Sequence, residues 1–200
     1  MNNHVTVLEI DGKALEHNLH YFKNRLHQKT KVLAVVKAFG YGSSSVAIAK
    51  HIADKVHYFA VAYLDEGIAL RDAGIKTPIL VLHPQKANIE KLLHYNLEPN
   101  VYSIYLLTAF IENAIALNIK NYPIHIKLDT GMHRLGFEEE NIEALISILK
   151  DNKSVKVKSI LSHMATSDSM DNSDFALYQI QLFEKLSSKI ISELKITPIR

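Results

Sequence analysis

The chain has no cysteine and no tryptophan among its 200 residues. Without cysteine it can build neither a disulfide scaffold nor a thiolate-held zinc or iron–sulfur centre. Charge of one sign is also missing. The 23 Lys+Arg stand against 21 Asp+Glu, for a net +2 with the 11 histidines neutral. That balance makes no strong field for nucleic acid. No apolar run approaches the ~20 residues of a membrane span. The opening residues, MNNHVTVLEID, lack a signal-peptide core. What is present is a hydrophobic fraction of 48 %, enough for a sizeable core and too much for a disordered polar chain. These bounds lead to a soluble, cytoplasmic, globular protein without nucleic-acid or membrane partners.

Apolar runs of five to eight residues recur, each followed by a segment of helical period. Val5–Ile10 (VTVLEI) reads as a leading strand, and Asp11 can cap a helix with Leu15, Leu19, Phe22 and Leu26 on its apolar face. Val32–Val36 (VLAVV) is continuously apolar, which predicts a strand buried on both faces. Further strands are expected at Tyr58–Ala62, Pro78–Leu82, Leu97–Val101, Ile124–Leu128 and Val155–Leu161, with another beginning at Ile196–Ile199. Helices are expected from the serines after Gly42 to Ala53, and at Asp65–Asp72, Ala87–Tyr95, Ser103–Leu117, Glu138–Leu149 and Ser173–Leu194. Alternating strands and helices specify an α/β fold with a parallel sheet. Six βα units with a seventh strand begun suit a (β/α)8 TIM-type barrel better than an open sheet. A whole barrel takes about 250 residues, so the chain reads as a fragment of about six βα units plus the leading strand.

Barrel enzymes place their chemistry at the C-terminal ends of the strands. Those ends carry Lys37, Tyr63, His83 and Asp129, then His133 and Arg134 in the loop after Asp129, and His163. Lys37 follows five apolar residues. Burial there would lower its pKa and favour the neutral amine that forms Schiff bases, although a strand-end lysine ordinarily snorkels to solvent. Gly40-Tyr41-Gly42 and three serines follow at once. Glycines admit a close ligand, a helix start favours an anion, and Tyr41 could donate to a phosphate. Such a turn is also an ordinary capped loop.

The second cluster is Lys127-Leu128-Asp129-Thr130-Gly131-Met132-His133-Arg134-Leu135-Gly136. Strand alternation puts His125, Lys127 and Asp129 on one face, which makes Lys127 a costly buried charge unless it is paired or chemically changed. Arg134 is a fork for a carboxylate or phenolate; alternatively a Lys–Asp or Asp–Arg ion pair merely ties the loop. His163 ends an apolar strand. Neither a serine elbow nor a helical metal-ligand pair of histidines is present, so no metal is expected.

Taken together, VVKAFGYG, IKLDTGMHRLG and SHMATSD resemble the N-terminal barrel of alanine racemase, over the chain from Val5 onward. The resemblance implies a pyridoxal 5'-phosphate enzyme interconverting L- and D-alanine for peptidoglycan. In it Lys37 holds the cofactor as a Schiff base and acts as one of two catalytic bases. Tyr41 bonds the cofactor phosphate. Arg134 contacts the phenolic oxygen and the substrate carboxylate. Lys127 is a carbamylation candidate that positions Arg134, His163 lies near the cofactor ring, and Leu82 or its neighbours line the apolar side. The family's pattern has Asn where Phe39 stands and His where Ser43 stands. The resemblance further implies that residues 1–10 join a C-terminal β domain absent here, and that 11–200 form an incomplete barrel. The full-length enzyme is then a homodimer acting on a free amino acid, with the second base, a tyrosine, supplied from that domain across the dimer. The 200 residues alone are expected to be inactive. A racemase of serine or lysine would share every motif. A non-enzymatic pyridoxal-phosphate-binding barrel and a Schiff-base aldolase are further alternatives.

Overall fold

The computed structural model describes residues 6–166 and 173–200, which divide into two compact units, Met1–Val81 and Leu82–Arg200. In both units helical segments separate consecutive strands, and the strands pair in parallel.

The first unit holds α1 (Gly12–Lys23), β1 (Leu33–Val35), α2 (Lys37–Tyr41), α3 (Ser45–Ile52), β2 (Tyr58–Val61), α4 (Leu64–Asp72) and β3 (Ile79–Val81). The expected cap is there: the Asp11 carboxylate accepts from Lys13 N at 2.8 Å and Ala14 N at 3.2 Å. The strand in the middle, β2, is buried along its whole length between β1 and β3. Its Phe59, Ala60 and Val61 are fully covered, and burying each large side chain contributes about 1.5–3 kcal/mol.

Two expectations fail in this unit. β1 is not buried on both faces: Leu33 is 40 % and Val35 47 % exposed, and only the following Val36 is covered. β1 takes one strand neighbour, β2, among the described residues, so its apolar run serves an edge. The leading strand is also not formed. Residues 6–10 are exposed and pair with nothing among the described residues, because a strand exists only through its ladder. Residues 1–5, including Val5, lie outside the described residues. The apolar face of α1 is weaker than expected for a related reason. Leu15 and Leu19 are half-buried, Phe22 is 64 % exposed, and Leu26 falls beyond the helix end.

The second unit holds α5 (Ile89–His94), β4 (Glu98–Val101), α6 (Ile104–Ala116), β5 (Tyr122–Lys127), α7 (Ile142–Lys150), β6 (Val155–Leu161) and α8 (Ser173–Leu194). Ser103 caps α6 by accepting from Leu106 N. Ile124, Ile126 and Leu128 alternate onto a fully buried face, and Leu107, Phe110, Leu145 and Ile190 supply the helical side of the core. On the other face of β5 stand His125, Lys127 and Asp129, all buried. The strand expected to begin at Ile196 is present as a single parallel bridge, Ser159 to Ile199, with Ile160 N donating to Ile199 O at 2.9 Å.

Candidate active site

Lys37 leaves β1 half-buried, directly after the covered Val36. The backbone then turns left-handed through four residues in succession: Ala38 (φ 52°), Phe39 (φ 55°), Gly40 (φ 62°) and Tyr41 (φ 53°). Only Gly40 adopts this freely. The three residues with a Cβ each carry roughly 1–2 kcal/mol of strain. Gly40 is needed for a second reason, since a Cβ there would lie 2.9 Å from Ile48 Cδ1 and 3.0 Å from Ser45 N.

Two side chains hold this turn. The Ser45 hydroxyl donates to Val36 O at 2.5 Å. The Glu66 carboxylate, from the first turn of α4, accepts from Ala38 N at 2.7 Å through Oε1, and from Ala62 N at 2.6 Å and Tyr63 N at 3.2 Å through Oε2. The backbone after β1 is thereby tied to the backbone after β2. Phe39 and Tyr41 project outward, 67 % and 71 % exposed. Neither the Lys37 amine nor the Tyr41 hydroxyl takes a hydrogen bond or ion pair among the described residues.

The second unit organises the other cluster around Asp129. Its Oδ1 accepts from Gly131 N at 2.9 Å and His133 N at 3.1 Å. Burial raises its pKa, but the two backbone donors, with His133 and Lys127 nearby, outweigh burial and hold the carboxyl below its usual value. The loop returns to the strand where Phe137 N donates to Lys127 O at 2.8 Å and Asp129 N to Phe137 O at 3.0 Å. Gly136 (φ 142°) permits that return, since a Cβ would sit 2.4 Å from Asp129 N.

Lys127 is 9 % exposed and donates from Nζ to Leu128 O at 3.0 Å. Burial lowers its pKa, Asp129 partly offsets this, and the like charge of Arg134 adds to the lowering. Neither a Lys127–Asp129 nor an Asp129–Arg134 ion pair is formed among the described residues: Asp129 Oδ1 serves backbone donors, its Oδ2 lies 3.9 Å from His133 Nδ1, and Arg134 is exposed with no hydrogen bond or ion pair.

His163 follows β6, and its carbonyl accepts from the fully buried Gln179 Nε2 at 3.0 Å. Gln179, on α8, also donates to Thr130 Oγ1 at 3.2 Å and accepts from Ala165 N at 2.9 Å. Thr130 Oγ1 meets Ser162 Oγ at 2.7 Å, and Ser162 donates to Leu128 O at 2.9 Å. This chain of bonds fastens the loops after β5 and β6 to α8. Leu82 is half-buried, and its carbonyl accepts from Asn100 Nδ2 at 3.0 Å.

Lys37 and Tyr41 thus belong to the first unit, and Leu82, Lys127, Arg134 and His163 to the second. Several organising residues gave no sequence signal. Glu66 and Gln179 act on distant backbone, which no local spacing reveals. Buried His125 donates from Nε2 to Glu98 Oε2 at 2.6 Å and meets Ser159 Oγ at 2.7 Å through Nδ1, joining three strands. Asp129, His133 and Glu138 bring ligand atoms within 4.8 Å of one another, a grouping the motif spacing did not suggest.

The family model for the alanine racemase N-terminal domain matches residues 10–199. The alanine racemase of Carboxydothermus hydrogenoformans is 39 % identical over 177 residues, covering 88 % of this chain and 47 % of that protein. Alanine racemase 1 of Oceanobacillus iheyensis is 34 % identical over 197 residues, covering 96 % and 52 %. Among solved structures, the Clostridium difficile alanine racemase complex with cycloserine superposes with a TM-score of 0.86 at 30 % identity, covering 93 % of this chain and 51 % of that one. The chain therefore spans about half the length of the relatives it matches.

Proposed function

We propose, for a chain that belongs to the alanine racemase family by its N-terminal domain, that it forms the cofactor-holding part of a cytoplasmic, homodimeric, pyridoxal-phosphate-dependent racemase whose substrate is alanine. The observation that carries this is Lys37: an amine at the end of a strand with no hydrogen bond or ion pair among the described residues, followed by a left-handed turn whose flanking peptide groups bond to side chains from α3 and α4. The donor set fits an anionic aromatic aldehyde. It comprises an amine for the carbonyl, the Tyr41 hydroxyl for the phosphate, and the Arg134 guanidinium for the ring oxygen.

Bound pyridoxal phosphate supplies the electron sink that makes the Cα proton of an amino acid removable. Lys37 Nζ would hold the cofactor, and as the free amine it would move the Cα proton on one face. Arg134 orients the substrate carboxylate with its planar fork. Lys127, whose burial favours the neutral amine, is the residue suited to take up carbon dioxide as a carbamate. That anion would pair with Arg134 and remove the like-charge conflict between the two. His163 and Leu82 would line the cofactor's ring. Proton delivery on the opposite face is assigned to a tyrosine of the partner subunit in the full-length enzyme.

The test is turnover by the full-length protein carrying this domain, loaded with pyridoxal phosphate and offered L-alanine, L-serine and L-lysine separately. The reading expects D-alanine to form fastest, and Lys37→Ala to reduce the rate by at least about 10³-fold. Faster turnover of serine or lysine reassigns the substrate. Racemisation of none of the three rejects the reading.

A further inference from the structure

We infer that Glu66 is a positioning residue for Lys37: its carboxylate keeps the Ala38–Gly42 segment left-handed and so fixes the direction in which the preceding lysine presents its amine. The inference rests on the Schiff-base reading of Lys37 and deepens it.

Three backbone N–H groups converge on one carboxylate. Two, from Ala62 and Tyr63, belong to the end of β2 and the start of α4, where an acidic third residue of a helix commonly reaches back to the helix start. The third is different. Ala38 N lies 28 residues away in sequence, is bonded to the other carboxylate oxygen at 2.7 Å, and belongs to the residue immediately after Lys37. Ala38 is also the first of the left-handed residues.

The bonds that close the turn are short-range, Gly42 N to Phe39 O at 3.2 Å and Ser43 N to Gly40 O at 3.1 Å. Strained backbone persists only where its surroundings over-determine it, and the Ala38 N–H bond to Glu66 is the long-range tie on this segment. Ser45 fixes the carbonyl of Val36 on the near side of Lys37, and Glu66 fixes the amide on the far side. The peptide units flanking the lysine are thus tied on both sides, which leaves its Cα–Cβ direction little freedom.

Glu66→Gln keeps the size of the side chain but replaces one acceptor oxygen with an NH2 that faces N–H donors. Either Ala38 or the Ala62–Tyr63 pair then loses its partner. Two measurements on the chain distinguish the outcomes. Chymotrypsin reads the turn without any cofactor, because Phe39 and Tyr41 are exposed but held in a conformation that a protease cannot bind in extended form. Borohydride reduction with pyridoxal phosphate, followed by peptide mapping, reads how much label falls on Lys37 relative to the other lysines. Asp65→Asn, the loss of an exposed neighbouring charge on α4, serves as the control.

The expected result is at least about tenfold faster cleavage after Phe39 or Tyr41 in Glu66→Gln, with a matching fall in the Lys37 share of label and neither change in Asp65→Asn. Unchanged cleavage overturns the inference. Faster cleavage with an unchanged Lys37 share also overturns it, because the turn would then not govern the lysine. If Glu66→Gln does not fold, Glu66→Asp is compared instead, since it keeps the charge but is one methylene short of spanning both backbone segments. Label spread evenly over the lysines of the unsubstituted chain rejects the Schiff-base reading itself, while the cleavage comparison still decides whether Glu66 holds the turn.

Discussion

Asp129 Oδ1 is anchored to two backbone amides, and this sets what its replacement does. Asp129→Ala leaves the amides of Gly131 and His133 without their acceptor. A loss of about 2–3 kcal/mol is expected, measured by denaturant unfolding. Asp129→Asn, which retains an acceptor oxygen, should lose clearly less. Lys127 behaves in the opposite sense. Its folded-state pKa lies below the ordinary 10.5, so the unfolded chain binds more protons between the two values. Stability should therefore rise with pH through the window that ends near 10.5. Lys127→Met should abolish that rise and increase the Tm at neutral pH by a few degrees, about 1 kcal/mol. A third residue carries a departure from the family pattern. Phe39 stands at φ 55°, where the family places Asn. Asn tolerates the left-handed region far better than an aromatic residue, so Phe39→Asn should stabilise the chain by about 0.5–1 kcal/mol in the same unfolding measurement.

Elements were legible in the sequence wherever burial imposes a period. Val155–Leu161 and Ser173–Leu194 form over the expected residues, and Asp11 caps the helix it was expected to cap. Legibility fails where an element depends on a partner. Val32–Val36 and Val5–Ile10 are both apolar, yet one is an edge strand and the described part of the other is no strand. Ladder pairing decides that, and hydrophobic pattern does not record it. The left-handed turn was half visible. Gly40 and Gly42 announced a turn, but Ala38, Phe39 and Tyr41 are held left-handed by Glu66 and Ser45, which no local motif displays. Gly136 is the counterpart in the second unit. Gly136→Ala would push a Cβ to within 2.4 Å of Asp129 N. It should break the return of the loop to β5, with a loss of more than about 3 kcal/mol or failure to fold, read by thermal unfolding.

At the scale of the whole molecule, the α/β barrel class expected from alternating apolar runs is that of the solved alanine racemases. The motif-bearing residues sit at strand C-terminal ends, as the barrel rule requires. Lys37 follows β1, Lys127 ends β5 with Arg134 in the loop beyond, and His163 follows β6. The candidate residues Lys37, Tyr41 and Arg134 were picked out in the sequence by the motifs that carry them. The bonds that hold the neighbouring backbone were not, because Glu66 in the first unit and Gln179 in the second reach residues distant in sequence. The account turns on Lys37 as the residue that takes the cofactor. Its most direct test is reduction of the chain with borohydride in the presence of pyridoxal phosphate, followed by peptide mapping. The account predicts that the pyridoxyl group is concentrated on Lys37. Label shared evenly among the exposed lysines, or concentrated on any lysine but Lys37, would contradict it.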